Sequence, residues 1–567
     1  MARTRARGMS LIEIIIGTAL MLVVFVSLMG VLRASLMVSS LARAAAGANA
    51  IAGTQMEYLR GLSYDALGTV GGIPAGGVSP ATTTLANGII YTINIFVSYV
   101  DDAADGSDTS DGNGITTDYK RARVSVGYAT SGQNRSVTLV SNFAPPGLES
   151  STGGGTLVIH VVSASGAPVA AATVHISNDA IVPTVDLATH TNGAGQVVLP
   201  GAATSSSYQI TVTKTGYSTA QTYARDAVNQ NPNPGYLTVA KDQTTTSTFA
   251  IDHLVSLDLA TFSPIETSTF VDHFADASKL AAMSSTTAGG GVLTLAAGET
   301  QGSARSVATT SAYLVTWDTL AATTSVPISA SVLLHVYDDT GTLIPDSSLP
   351  GNAAGFSMFP LSLAGIATST YPALAVGGEL VAGAGGAPLI TDWSLSYEAG
   401  PIPLPNVSFT LTSTKTQGST GGGTPIPKTI VSTATGADGT TNVSLEWDSY
   451  PLTTPDRDIV DACPSPPYAF APGDTPAALL VFAPATTNSL RVFVADNAGA
   501  AVSGATVVIS RSGYTKTLTS SLCGSVYAGS IATANDYSVS IGKPGFASTT
   551  FSGVSVSGQT AYGASFP

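Results

Sequence analysis

The stretch that most restricts this chain is Met9–Leu32, 24 residues in which Glu13 is the single charge. As an α-helix it is about 36 Å long, enough to span the hydrocarbon core of a bilayer. Arg3, Arg5 and Arg7 precede it. Cationic flanks stay on the cytoplasmic side, so the rest of the chain is expected outside the cytoplasm. A secretory signal peptide or a plain N-terminal anchor also fits such a run, and the small residues 44–50 offer a signal-peptidase site. Neither accounts for Glu13. A carboxylate inside an apolar segment costs about 2.5–3.5 kcal/mol on insertion scales, so it normally has a task.

Arg7-Gly8-Met9-Ser10-Leu11-Ile12-Glu13 resembles the type IV prepilin motif. The resemblance implies cleavage after Gly8 by a prepilin peptidase on the cytoplasmic side. Met9 then becomes a methylated N-terminus, and Glu13 is the acid kept for assembly. The family more often has Phe at the first mature position, where this chain has Met9. The charge logic agrees: Glu13 of one subunit can meet the amine of Met9 on its neighbour, and a buried charge is tolerable when paired. The pair would set register between subunits. In pilins the second half of the helix packs under a small sheet. Here Met37, Leu41, Ala44, Ala48, Ile51, Gln55, Tyr58 and Leu62 alternate by fours and threes, which marks the packed face. Gly17 and Gly30 weaken the membrane half locally, either for stretch in a fibre or for small-residue packing.

Beyond residue 80, Thr, Ser, Val, Ala and Gly dominate the text, which is strand-and-turn chemistry. Charged residues make up 10% and the net charge is −14. Nucleic acid is therefore not an expected partner, since no basic stripe exists to displace counterions. The reading divides the chain into a leader (1–8), a transmembrane and amphipathic helix (9–62), a pilin-like β head (63–148) and a linker (149–156). Four β-sandwich regions follow, at 157–235, 236–400, 401–487 and 488–567. The expected fold class is one long N-terminal helix, the membrane spine, with a small antiparallel sheet, followed by all-β sandwich modules. In the head, Tyr91, Ile93, Ile95, Val97 and Tyr99 alternate along one strand, and Arg121–Tyr128 and Ser136–Val140 read as two more. Between the first two strands, residues 101–114 hold Asp101, Asp102, Asp105, Asp108 and Asp111. Calcium is one reading, although the spacing is not that of an EF-hand; a solvated acidic loop is the other.

Residues 157–177 align without gaps to 490–510, with Gly166 on Gly499, Val169 on Val502 and Thr173 on Thr506. Further on, Tyr208 and Lys214-Thr215-Gly216-Tyr217 match Tyr537 and Lys543-Pro544-Gly545-Phe546. This repeat resembles the carboxypeptidase regulatory-like module, a small β-sandwich that carries no catalytic residues. A diverged third copy begins near Pro403, with Asn406–Leu411 as a strand and Gly436–Leu445 resembling 191–199. The region 236–400 reads as a larger jelly-roll-like sandwich with Trp317 and Trp393.

No catalytic constellation is found, so the chain is not read as an enzyme. His160, His175, His190, His253, His273 and His335 show no metal spacing, and no metal or cofactor is expected. Asp338-Asp339 follows a strand and reads as a turn former. Cys463 and Cys523 fall outside the membrane segment, where a disulfide persists; a bond would clamp the last two small modules, and two buried thiols are the alternative. The expectation is a minor or tip subunit of a type IV pilus or pilus-like fibre. It is a single-pass cytoplasmic-membrane protein with its N-terminus inside before assembly, and lies on a pilus or the cell surface after. Its partners are the prepilin peptidase and other pilin subunits. The alternatives are a surface adhesin binding a glycan or another cell, and a pseudopilin of a secretion or DNA-uptake machine.

Overall fold

The computed structural model describes residues 11–102, 117–130, 132–146 and 153–567. Gly8 and Met9 lie outside the described residues, as do 103–116 of the acidic loop, with Asp105, Asp108 and Asp111 of the candidate calcium ligands, and 147–152 at the start of the linker. Of Glu13 only the backbone is described, in the first turn of the helix.

One helix, α1, runs Leu11–Arg60. Behind it four antiparallel strands form a meander in chain order: Ala81–Ala86, Ile89–Val100, Tyr119–Thr130 and Gln133–Phe143. The first of these was not expected from the sequence. Its signal is the Asn87-Gly88 pair, whose φ values of 52° and 75° make the tight turn that closes a hairpin. Tyr91, Ile93, Ile95 and Val97 do share the buried face, together with Ala122, Val124 and Val126.

Of the expected helix face, Ala44 and Ala48 are buried and Ile51 and Leu62 pack against the core, but the stripe does not run as expected throughout. The buried stripe is Ala44, Ala48, Ala52, Met56 and Leu59, while Met37 and Tyr58 are 44% and 52% exposed. Alanines let the sheet approach the helix axis, and Tyr58 on that face would hold it away. Met37 lies about two turns before Ala44, where the buried stripe begins.

Three small sandwiches share one topology. In the first, Gly155–Val162 pairs antiparallel with Gln196–Ala202 and parallel with Thr244–Ala250. In the last, Ser489–Ala495 pairs antiparallel with Ser525–Gly529 and parallel with Gln559–Ser565. In the middle one, Val255–Phe262 pairs antiparallel with Thr440–Leu445 and parallel with Ala477–Pro484. Each packs on a second sheet: Thr173–Asn178, Val185–His190 and Ser205–Thr213 in the first; Ser408–Thr412, Ile430–Ala434 and Leu452–Thr453 in the middle.

The strand partners shift the boundaries read from the sequence. Thr244–Ala250 completes the first sandwich and Val255–Phe262 opens the middle one, so 236–262 does not belong with the large sandwich. Gly155 and Thr156, read as linker, are already strand. The large sandwich, Glu266–Ala399, is inserted within the middle module. Its two sheets of six and five strands enclose Trp317 and Trp393, both fully buried. The Trp317 indole donates to Tyr371 O at 2.9 Å, and Phe274 meets Trp393 edge-to-face at 5.0 Å.

The insertion point is fixed by hydrogen bonds that recur in all three modules. Val161 N donates to Gly195 O, Thr261 N to Gly439 O and Val494 N to Gly524 O, at 2.7–2.8 Å. These three glycines have φ of 72°, 76° and 78°, and a Cβ on any of them would press on the opposing carbonyl. Val169 N, Leu404 N and Val502 N then donate back to residues 161, 261 and 494. Between the paired positions the first and last modules have a short turn through Gly166 or Gly499. The middle module has the whole large sandwich there.

A buried hydroxyl braces the same corner each time. Thr191 Oγ1 accepts from Ala172 N at 2.9 Å and donates to Val169 O at 2.7 Å. Ser520 does the same between Ala505 N and Val502 O. In the middle module Thr435 Oγ1 accepts from Val407 N at 3.0 Å, but Leu404 O is 3.5 Å away. Thr261, where the siblings have valine, donates to Leu404 O at 2.7 Å instead.

Candidate functional site

The helix has two halves of different character. From Leu11 to Val38 its large apolar side chains stand exposed, Leu11 by 77% and Val31 by 70%. Two of the three hydroxyls inside this run fold back onto the helix: Thr18 Oγ1 donates to Ile14 O and Ser27 Oγ to Val23 O. That leaves no side-chain donor facing outward at those positions, as an apolar surround requires. The helix is long and apolar enough to cross a membrane. Glu13 sits within its first described turn.

The second half is fused to the head. Tyr91 Oη donates to Ala44 O at 3.1 Å across the helix–sheet contact. Gly47 lies beneath that ring, where a Cβ would come 2.5 Å from Tyr91 Oη. Lys120 is buried on the next strand and donates to Tyr64 O at 2.6 Å and Leu67 O at 2.8 Å. It thereby pins the connector leaving the helix. Burial pushes its pKa down to about 8, with Asp65 acting in the opposite direction.

The modules meet through specific groups. The head connector reaches the first module, where Asp186 N donates to Gly71 O at 2.8 Å and Ile73 enters the hydrophobic core. Asn231 and Pro232 of the first module pair with Ser419 and Gly418 of the middle one, adding a strand across the seam. Asn229 Nδ2 donates to Gln417 O at 3.0 Å beside it. In the middle module Glu446 is buried between Lys415 and Lys428, at 2.7 and 2.5 Å. At the next seam Cys463 and Cys523 are bonded, with Cα atoms 5.2 Å apart, so the two sulfurs join the middle and last modules. Close by, the fully buried Asp458 accepts from Thr486 Oγ1 at 2.7 Å and Tyr527 Oη at 2.6 Å. Burial and that carboxylate push the Tyr527 phenol up to about 12. Arg491, also buried, donates to Ser465 Oγ. Apart from the two cysteines, none of these junction groups was read from the sequence; Arg491 and Asn229 have partners 26 and 188 residues away, and no local pattern marks them.

The histidines are dispersed. His175 pairs with Asp186 at 2.6 Å on an exposed strand face. His253 lies against Tyr217, rings 4.2 Å apart. His335 is buried, its Nδ1 2.7 Å from Asn352 O. His160 lies beside Gln196, and His190 and His273 are exposed. Among the described residues no three His, Cys, Asp or Glu side chains gather as a metal site. Asp338 Oδ1 accepts from Thr340 N and Thr342 N and caps a turn.

What the fold defines is an apolar N-terminal helix suited to anchoring or targeting, fused to a string of β-sandwiches. No family model matches the chain, and no curated protein matches it. Among solved structures, the Bacillus anthracis TIE protein aligns over 87% of this chain and 74% of its own, at 9% identity and a TM-score of 0.15. BcpA, the major pilin subunit of Bacillus cereus, aligns over 73% and 99%, at 9% identity and 0.14. The RrgB pilus protein of Streptococcus pneumoniae aligns over 73% and 98%, at 8% identity and 0.12. Superpositions at that level establish no shared fold.

Proposed function

We propose that this chain is a type IV pilin-like subunit, cut after Gly8 by a prepilin peptidase and built through its helix into a pilus or pilus-like fibre. One observation carries the reading: a single helix is bare and apolar over its first half and roofed by a four-stranded antiparallel sheet over its second. A bare half needs lipid before assembly and neighbouring helices after it. Glu13 then serves as the acid that meets the Met9 amine of the next subunit.

The size of the outer part favours a minor or tip subunit. Five cores hang on one helix, and copies repeated around a thin helical bundle would collide. The sandwiches are non-catalytic add-ons of the carboxypeptidase regulatory-like kind, and the inserted sandwich is the candidate contact for a glycan or another cell.

Mass analysis of the mature N-terminus tests the proposal. A chain that starts at methylated Met9, and that keeps its leader when Gly8 is changed to Val, supports it. A mature chain that retains Met1, or starts near residue 50, overturns it. Glu13→Leu should still insert in the membrane but fail to enter fibres.

A further inference from the structure

We propose that the three repeated modules form a tension-bearing series between the membrane helix and the last module, with the inserted sandwich as a side branch outside the line of force. This goes beyond the fibre reading and holds for any anchor at the N-terminus. The first strand of each module receives the incoming chain and the last strand sends it on. These two strands lie side by side and parallel in every copy, over seven residue pairs in the first module, five in the middle and seven in the last.

Parallel terminal strands put the entry and exit at opposite ends of one ladder. Tension along the chain then slides the strands past each other and loads every cross-strand bond together. Antiparallel terminal strands would be peeled, one bond at a time. A single hydrogen bond contributes little on its own, so the difference lies in how many must fail at once. Forced rupture is governed by that barrier rather than by equilibrium stability.

The links between modules are short. Residues 251–254 join the first ladder to the middle one, and 485–488 join the middle to the last. Within the middle module the force crosses from Val255–Phe262 directly onto Ala477–Pro484. The inserted sandwich leaves and returns beside that ladder. Phe262 bridges Pro403, Ser263 N donates to Ile402 O at 2.8 Å, and Leu404 N donates to Thr261 O at 2.8 Å. Its two ends are therefore held together, and no tension passes through it while the middle module is intact. The Cys463–Cys523 bond adds a covalent tie across the last seam.

The test is single-molecule pulling of the full chain, held in a nanodisc by its helix. With a tag after Pro567, the step from the insert, residues 263–402 and roughly 490 Å of extended chain, should appear only after the middle module has ruptured. With the tag placed instead at the exposed loop residue Ile328, the insert is in series and should open first. The last module should release the 44 residues beyond Cys523, roughly 150 Å, and after reduction the 79 residues from Ser489 onward, roughly 280 Å. An insert step that precedes the middle-module step under C-terminal pulling overturns the proposal. So do modules that yield at no higher force than the insert pulled directly.

Discussion

Removing two hydroxyls at the root of the inserted sandwich should destabilise the middle module by more than the two single losses combined. Thr435 Oγ1 is the acceptor for the buried Val407 N. Thr435→Val leaves that donor without a partner, which costs about 1–3 kcal/mol. Thr261→Val takes the donor from Leu404 O. Thr435 is already 3.5 Å from that oxygen, and its counterparts Thr191 and Ser520 make the equivalent bond at 2.7 Å. A small rotation restores the pattern of the sibling modules, so Thr261→Val should cost about 0.5–1.5 kcal/mol. In the double variant no hydroxyl remains to rotate. Val407 N and Leu404 O are both stranded, and the loss should exceed the sum of the singles by about 0.5–3 kcal/mol. Hydrogen exchange of the Thr440–Leu445 and Ser408–Thr412 amides reads the opening energy of this module separately from its neighbours. Additivity within about 0.3 kcal/mol would refute the substitution of one hydroxyl for the other.

Two further tests bear on the head. Gly47→Ala should loosen the helix–sheet contact by about 1–3 kcal/mol, because its methyl meets Tyr91 Oη; Gly53→Ala, with open space around it, should stabilise the same helix by up to about 1 kcal/mol, and equal effects on head melting would contradict the packing described. Lys120 titrates near 8 in the fold and near 10.5 when unfolded. Between those values the unfolded chain binds more protons, so head stability should rise from pH 8 to pH 10, and Lys120→Met should flatten that rise in thermal melts; an equally steep rise in the variant would assign it elsewhere.

The parts of this fold that are local in sequence were legible. The apolar run and its Glu13, the alternation of Tyr91 to Val97, and the paired Gly166 and Gly499 turns all follow from spacing. What failed was adjacency. Val255–Phe262 alternates clearly as a strand, but nothing near it says that its module resumes 140 residues later at Pro403. The third repeat was seen only from about Pro403 onward for that reason. The helix face was read correctly at Ala44 and Ala48 and slipped by one residue beyond them, onto Ile51, Gln55 and Tyr58 instead of Ala52, Met56 and Leu59. The seam groups Asn229, Asp458 and Arg491 are polar residues in ordinary strands and loops, and burial is conferred on them by another module.

The antiparallel pair formed by Phe262 and Pro403 makes that corner a natural graft port. Any domain whose own termini emerge side by side could be spliced there without stretching the host, since the host's ladder closes behind it. Gly166 and Gly499 occupy the same corner in the sibling modules and carry only a tight loop. Two vacant ports of identical geometry therefore lie upstream and downstream of the occupied one, and a cargo moved between them would change its distance from the membrane without any change in how it is held.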